Sequence, residues 1–61
     1  MKANPIWIKD EALAKKILVH YLVFSDLVKS YKEAWDIVEE VYDPTLPFNE
    51  LLERVKKKVG A

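Results

Sequence analysis

The chain has 61 residues, 51% of them hydrophobic, with ten basic and ten acidic side chains and no cysteine. This length allows one small domain with a thin core, and the lack of cysteine excludes a disulfide as a staple. A single histidine is too few for a zinc site, and zero net charge argues against a dedicated nucleic-acid binder. With disulfides and zinc excluded, the fold must be stabilised by very regular packing of its helices or by a partner polypeptide.

The apolar run at residues 17–24 is far shorter than the roughly 20 residues that span a bilayer. Residues 1–7 contain no long apolar stretch typical of a signal peptide, so we expect a cytoplasmic protein without membrane contact. Glutamine and cysteine are absent and most of the charge is lysine and glutamate, a mix typical of thermophilic proteins.

Residues 1–9 are predicted to form an extended N-terminal arm. Pro5 disfavours helical geometry at the residue before it, and the run Ile6-Trp7-Ile8 favours extended backbone. These bulky apolar side chains must contact something. Either the arm packs over the chain's own helices, or Trp7 anchors in a neighbouring chain.

The first helix is predicted over residues 10–24, with Asp10 as its N-cap. From residue 17 to residue 24 its apolar character extends nearly all the way round, because Val19 and Val23 occupy the side opposite the expected core. A helix that is apolar on every side is covered on every side, which favours a partner. The alternative is a β-strand over the same residues, paired with the arm.

The second helix is predicted over residues 26–42, with Ser25-Asp26 before it and Asp43-Pro44 as its end. Ser30 and Glu33 have capping-box spacing and offer a later start, near residue 30. The first two helices are alternatively one continuous helix with a heptad seam. That seam would consist of Ile17, Tyr21, Phe24, Val28, Tyr31, Trp35, Val38 and Tyr42.

The last helix is predicted over residues 47–59, with Pro47 in its first turn and Gly60 as its terminator. Its apolar residues follow helical spacing, acidic residues come early and basic residues late, as the helix dipole favours. The sequence therefore predicts an all-α, three-helix domain with an N-terminal arm.

His20 and a set of carboxylates are the polar residues that could form a chemical site. His20 lies in an apolar run without a nucleophile or carboxylate on its helical face, so a core or interface histidine is favoured over a pH-sensitive contact or catalysis. Asp36, Glu40 and Asp43 share a helical face but lack the Glu-x-x-His pairs of carboxylate metal sites. They are interpreted as a solvated face, or as an acidic strip that meets the basic end of the last helix.

We therefore predict a non-enzymatic protein-interaction module without cofactor or metal, acting as a homodimer or docking on a larger protein. One alternative is a small dimeric nucleic-acid-binding regulator that uses the basic C-terminal helix, and another is a designed helical scaffold. The predicted partner interface consists of Trp7, Ile17, Val19, His20, Tyr21, Val23, Phe24, Tyr31, Trp35 and Val38. The alternative nucleic-acid contact consists of Arg54, Lys56, Lys57 and Lys58.

Overall fold

Three helices, and no strand, are formed by residues 5–60, which are the residues that the computed structural model describes. They are α1 (Glu11–Phe24), α2 (Tyr31–Val41) and α3 (Phe48–Lys58). The predicted all-α, three-helix class is confirmed, and the strand alternative for residues 17–24 is wrong. Positions 1–4 of the predicted arm lie outside the described residues.

Helix α1 begins and ends with local hydrogen bonds that the side chains and backbone of its flanks supply. The Asp10 carboxylate accepts from the Leu13 amide at 3.2 Å, as predicted for an N-cap. At the other end, the amides of Asp26 and Leu27 donate to the carbonyls of Val23 and Leu22, and Asp26 has a φ of 59°. This is a Schellman motif, so Ser25-Asp26 ends α1 instead of starting α2. The continuous-helix alternative is therefore wrong.

Helix α2 begins at Tyr31, later than the predicted residue 26. Ser30 is its N-cap, with its hydroxyl oxygen accepting from the Glu33 amide at 3.2 Å. The Glu33 carboxylate in turn accepts from the Lys29 amide at 3.1 Å. These reciprocal bonds are a variant of the capping box, and they satisfy amides that a helix start leaves without partners. The later of the two predicted starts is confirmed.

Helix α3 begins after Pro47, whose side chain cannot accept a hydrogen bond from the first helical amides. The backbone carbonyl of Ile6 fills this role by accepting from the Phe48 amide at 2.6 Å. The Ile6 amide donates to the side-chain oxygen of Asn49 at 3.1 Å, so the arm is held at the start of α3. Gly60 follows α3 with a φ of 79°, the left-handed geometry expected of the predicted terminator.

The core lies where α1 packs along α2, with α3 closing it from one side. Val19 and Val38, which were predicted to face a partner, are only 1% and 0% exposed and belong to this core. Neighbouring side chains of the same chain cover them, so neither supplies surface for a partner. The buried core residues are Ala14, Leu18, Val19, Leu22, Val28, Ala34, Val38, Leu51 and Val55. Over residues 5–60, no helix has the length and apolar character needed to cross a bilayer.

Candidate protein-interaction face

One side of α1 exposes large apolar side chains to solvent. Leu13, Ile17 and Phe24 are 48%, 39% and 75% exposed. They are spaced four and seven residues apart, so they lie along the same side of the helix. This side is opposite the core residues Leu18 and Leu22, both of which are fully buried. The chain therefore covers one side of α1 and leaves an apolar stripe on the other.

Helix α2 extends this stripe with two aromatic residues one turn apart, Tyr31 and Trp35, which are 48% and 36% exposed. His20 joins the two helices, because its ring packs edge-to-face on Phe24 (5.4 Å between centroids) and on Tyr31 (5.9 Å). The exposed apolar surface is thus continuous from α1 to α2. We call it the α1–α2 face, and it consists of Leu13, Ile17, His20, Phe24, Tyr31 and Trp35.

Lys15, on α1, contacts carboxylates of both α1 and α2. The Lys15 ammonium contacts the Glu11 carboxylate at 2.8 Å and the Glu39 carboxylate of α2 at 2.6 Å, and it lies 4.9 Å from the centre of the Tyr42 ring. The hydrogen bonds to Glu11 and then to Glu39 raise the pKa of Lys15 above its usual range. Because Lys15 meets Glu39 while His20 meets Tyr31, α1 and α2 run antiparallel.

Five of the predicted interface residues lie on the α1–α2 face: Ile17, His20, Phe24, Tyr31 and Trp35. Tyr21 and Val23 are half-buried against the core. Trp7 is 60% exposed on the arm, next to the residue that binds the start of α3. Neither Leu13 on the face nor the bridging role of Lys15 was predicted. Leu13 is one of many apolar residues in α1 whose spacing does not distinguish the exposed side from the buried side, and the contact of Lys15 with Glu39 joins residues 24 positions apart.

The basic end of α3 is engaged with carboxylates of the same chain. Lys58 contacts Glu40 of α2 at 2.9 Å, and Lys56 contacts Glu53 one turn earlier at 3.2 Å. The predicted meeting of the acidic strip with the basic end of α3 is therefore confirmed, for the Lys58–Glu40 pair. Arg54 and Lys57 line a shallow surface depression together with Glu40, Val41 and Lys58.

The carboxylates of the acidic strip do not converge on a common point. Asp43 is held in its own turn, where its carboxylate accepts from the Thr45 hydroxyl at 2.6 Å and from the Thr45 amide at 2.9 Å. Both hydrogen bonds lower the pKa of Asp43, and the one from the Thr45 hydroxyl has the larger effect. Within residues 5–60, no group of three or more histidine, aspartate or glutamate side chains could hold a metal ion.

Comparisons of the chain with protein families, with curated protein sequences and with solved structures give no match.

Proposed function

We propose that this chain is a non-enzymatic protein-interaction module that buries the α1–α2 face against another polypeptide. The observation that carries the proposal is the position of Phe24. This large aromatic side chain is 75% exposed, yet it lies within an apolar surface that spans two helices. Exposed apolar surface of this kind, continuous and rich in aromatic residues, is typical of sites where proteins associate.

The composition of the face supports the same proposal. Aromatic side chains are enriched at the centres of protein interfaces, and the face contains one phenylalanine, one tyrosine and one tryptophan beside His20. The charged side chains of the chain lie mainly elsewhere. The lysines at the end of α3 are partly neutralised by Glu40 and Glu53, so no observation favours the nucleic-acid alternative.

A photocrosslinking experiment tests the proposal. A benzophenone analogue of phenylalanine replaces Phe24 in the cells that produce the chain, and irradiation then links this position to whatever covers it. We expect one discrete adduct from position 24. The control places the same analogue at Lys57, which is exposed on α3 away from the face. No adduct from position 24, or equal adducts from both positions, would contradict the proposal.

A second variant distinguishes binding to a defined partner from nonspecific association of the apolar surface. Ile17→Lys introduces a charge into the face at a residue that is 39% exposed, so the helices should keep their circular dichroism signal. Burying that lysine against an apolar partner is costly, because an ion without a counter-charge is poorly solvated in an interface. We expect the adduct from position 24 to disappear. Its persistence at the same yield would show that the analogue is not covered by a defined partner.

A further inference from the structure

A surface depression lies between the C-terminal ends of α2 and α3, with a volume of about 390 Å³. Glu40 and Val41, the last two residues of α2, line one side of it, and Arg54, Lys57 and Lys58 of α3 line the other. We call it the α2–α3 depression. Its volume is within the range of about 300–1,000 Å³ that is typical of small-molecule sites. The depression is therefore large enough to hold a small ligand.

The side chains around the depression carry an excess of positive charge. Three of them are cations and one is an anion, which gives a net +2 in a chain whose total net charge is zero. Glu40 contacts Lys58 at 2.9 Å and so compensates one of the three cations. Arg54 and Lys57 are exposed, and neither forms an ion pair with any other residue between positions 5 and 60, although the charge of Arg54 acts on the nearby Asp43. Within this range, two cations of the depression thus have no carboxylate in contact with them.

Helical spacing brings these cations together on one side of α3. Lys57 and Lys58 follow Arg54 by three and four residues, and side chains with this spacing are neighbours, so their like charges repel. The helix dipole favours lysines in the last turn of α3, but Arg54 lies before that turn, where the effect of the dipole has faded. The cluster therefore exceeds what the helix end requires, and an anion between Arg54 and Lys57 would remove its repulsion.

The chemistry of the cluster indicates which anion fits. The arginine guanidinium is a planar fork that donates two parallel hydrogen bonds to the oxygens of a phosphate or carboxylate, and the lysine ammonium adds a point charge. A net +2 matches a phosphate monoester, which carries a charge of about −1.5 to −2 at neutral pH. Val41 is half-buried and offers apolar surface beside the cations for an organic group. The carbonyls at this end of α3 carry partial negative charge, so side chains must supply the contacts to the anion.

We propose that the α2–α3 depression binds a small organic phosphate, with Arg54 and Lys57 holding the phosphate group and Lys58, fixed by Glu40, beside it. A nucleic acid fits less well, because its affinity grows with the number of phosphates neutralised and the depression offers only two cations that the described chain leaves without an ion pair. None of the lining residues belongs to the α1–α2 face, so this inference goes beyond the proposed function and does not depend on it. Exposed ion pairs are individually weak, so we expect a dissociation constant of about 1–10 mM.

A titration followed by NMR tests the site. Phenyl phosphate is added to the full chain at about pH 8, where its phosphate group is a dianion, and sodium chloride at the same ionic strength gives the reference. We expect saturable shifts of the Arg54 side-chain Nε–H and of the Lys57 and Lys58 backbone amides, beyond those that chloride produces. Lys57→Glu should raise the dissociation constant by about tenfold, because it replaces an attraction by a repulsion at the phosphate group.

Lys56→Glu is the matched control. It makes the same charge change at the neighbouring residue, but Lys56 contacts Glu53 at 3.2 Å and does not line the depression. Its dissociation constant should stay within about threefold of the wild-type value, because solvent and salt screen the more distant charge. Equal weakening by the two substitutions would overturn the inference, since phosphate would then be attracted to the basic end of α3 in general. Shifts that do not saturate, or that chloride reproduces, would overturn it as well.

Discussion

Helices α1 and α3 differ in how much of their apolar surface this chain covers. Helix α3 buries Leu51 and Val55 and turns its glutamates and lysines outward, so its apolar residues are covered by the same chain and its charged residues face solvent. Helix α1 buries Leu18 and Leu22 completely but leaves Phe24 mostly exposed on its other side. A helix that needed only to fold would show the one-sided pattern of α3. The difference teaches that α1 carries apolar residues beyond those that its own core uses.

The largest expected effect is a difference in the free energy of unfolding between substitutions on the two sides of α1. Leu18→Ala should lower the free energy of unfolding by about 2–5 kcal/mol, because it leaves a cavity in the centre of the core. Phe24→Ala should change it by no more than about 0.5 kcal/mol, because Phe24 is 75% exposed. Urea unfolding of both variants, at concentrations low enough to keep the chain monomeric, measures the contrast. Similar losses in the two variants would mean that Phe24 belongs to the fold.

The beginnings of α1 and α3 provide the next contrast, since α1 is capped locally and α3 by the distant arm. Asp10→Ala removes the bond to the Leu13 amide and should cost about 1 kcal/mol. Asn49→Ala releases the Ile6 amide and should cost about 0.5–1 kcal/mol. Hydrogen exchange gives the sharper readout. In the Asn49 variant the Phe48 amide should exchange faster while the Leu13 amide keeps its rate, and unchanged exchange at Phe48 would show that the arm does not hold α3.

The ends of the same two helices give a smaller effect. Both end at a left-handed residue, which is Gly60 after α3 and Asp26 after α1. Because glycine adopts this geometry without the steric cost of a Cβ atom, Asp26→Gly should raise the free energy of unfolding by up to about 1 kcal/mol. Gly60→Ala should lower it by a similar amount. A loss of stability in the Asp26 variant would indicate that its carboxylate contributes more than its backbone geometry costs.

The smallest effect concerns the turn that leads into α3. The Thr45 hydroxyl and amide lower the pKa of Asp43, so the carboxylate form stabilises the folded chain above the ordinary aspartate pKa of about 4. This stabilisation is lost as the pH falls through the lower pKa of the folded state. A carboxyl NMR titration should find the midpoint of Asp43 below that of an ordinary aspartate, and Thr45→Val should move it upward. An unchanged midpoint in that variant would exclude the hydroxyl as the main cause.

Several features of the fold were predictable because they depend on residues close together in the chain. Asp10 reaches the amide three residues later, and the Ser30–Glu33 pair marks the start of α2. The signal at Ser25-Asp26 was misread, because aspartate serves both as an N-cap and as a left-handed terminator. Five residues of the candidate face were predicted, four from their own apolar or aromatic character and His20 from its place in an apolar run. The sequence did not distinguish these residues from Val19 and Val38, which are buried in the core, because buried and exposed apolar residues look alike in the sequence.

The sequence by itself determined the class of the fold and most of the helix ends, because capping and proline effects act over three or four residues. Tertiary structure alone decided which side of α1 is buried. Val19 and Ile17 are similar in character, and only the packing of α1 against the rest of the chain buries the first and leaves the second 39% exposed. It also decided that the Ile6 carbonyl caps α3. That contact joins residues more than forty positions apart, and no local pattern specifies it.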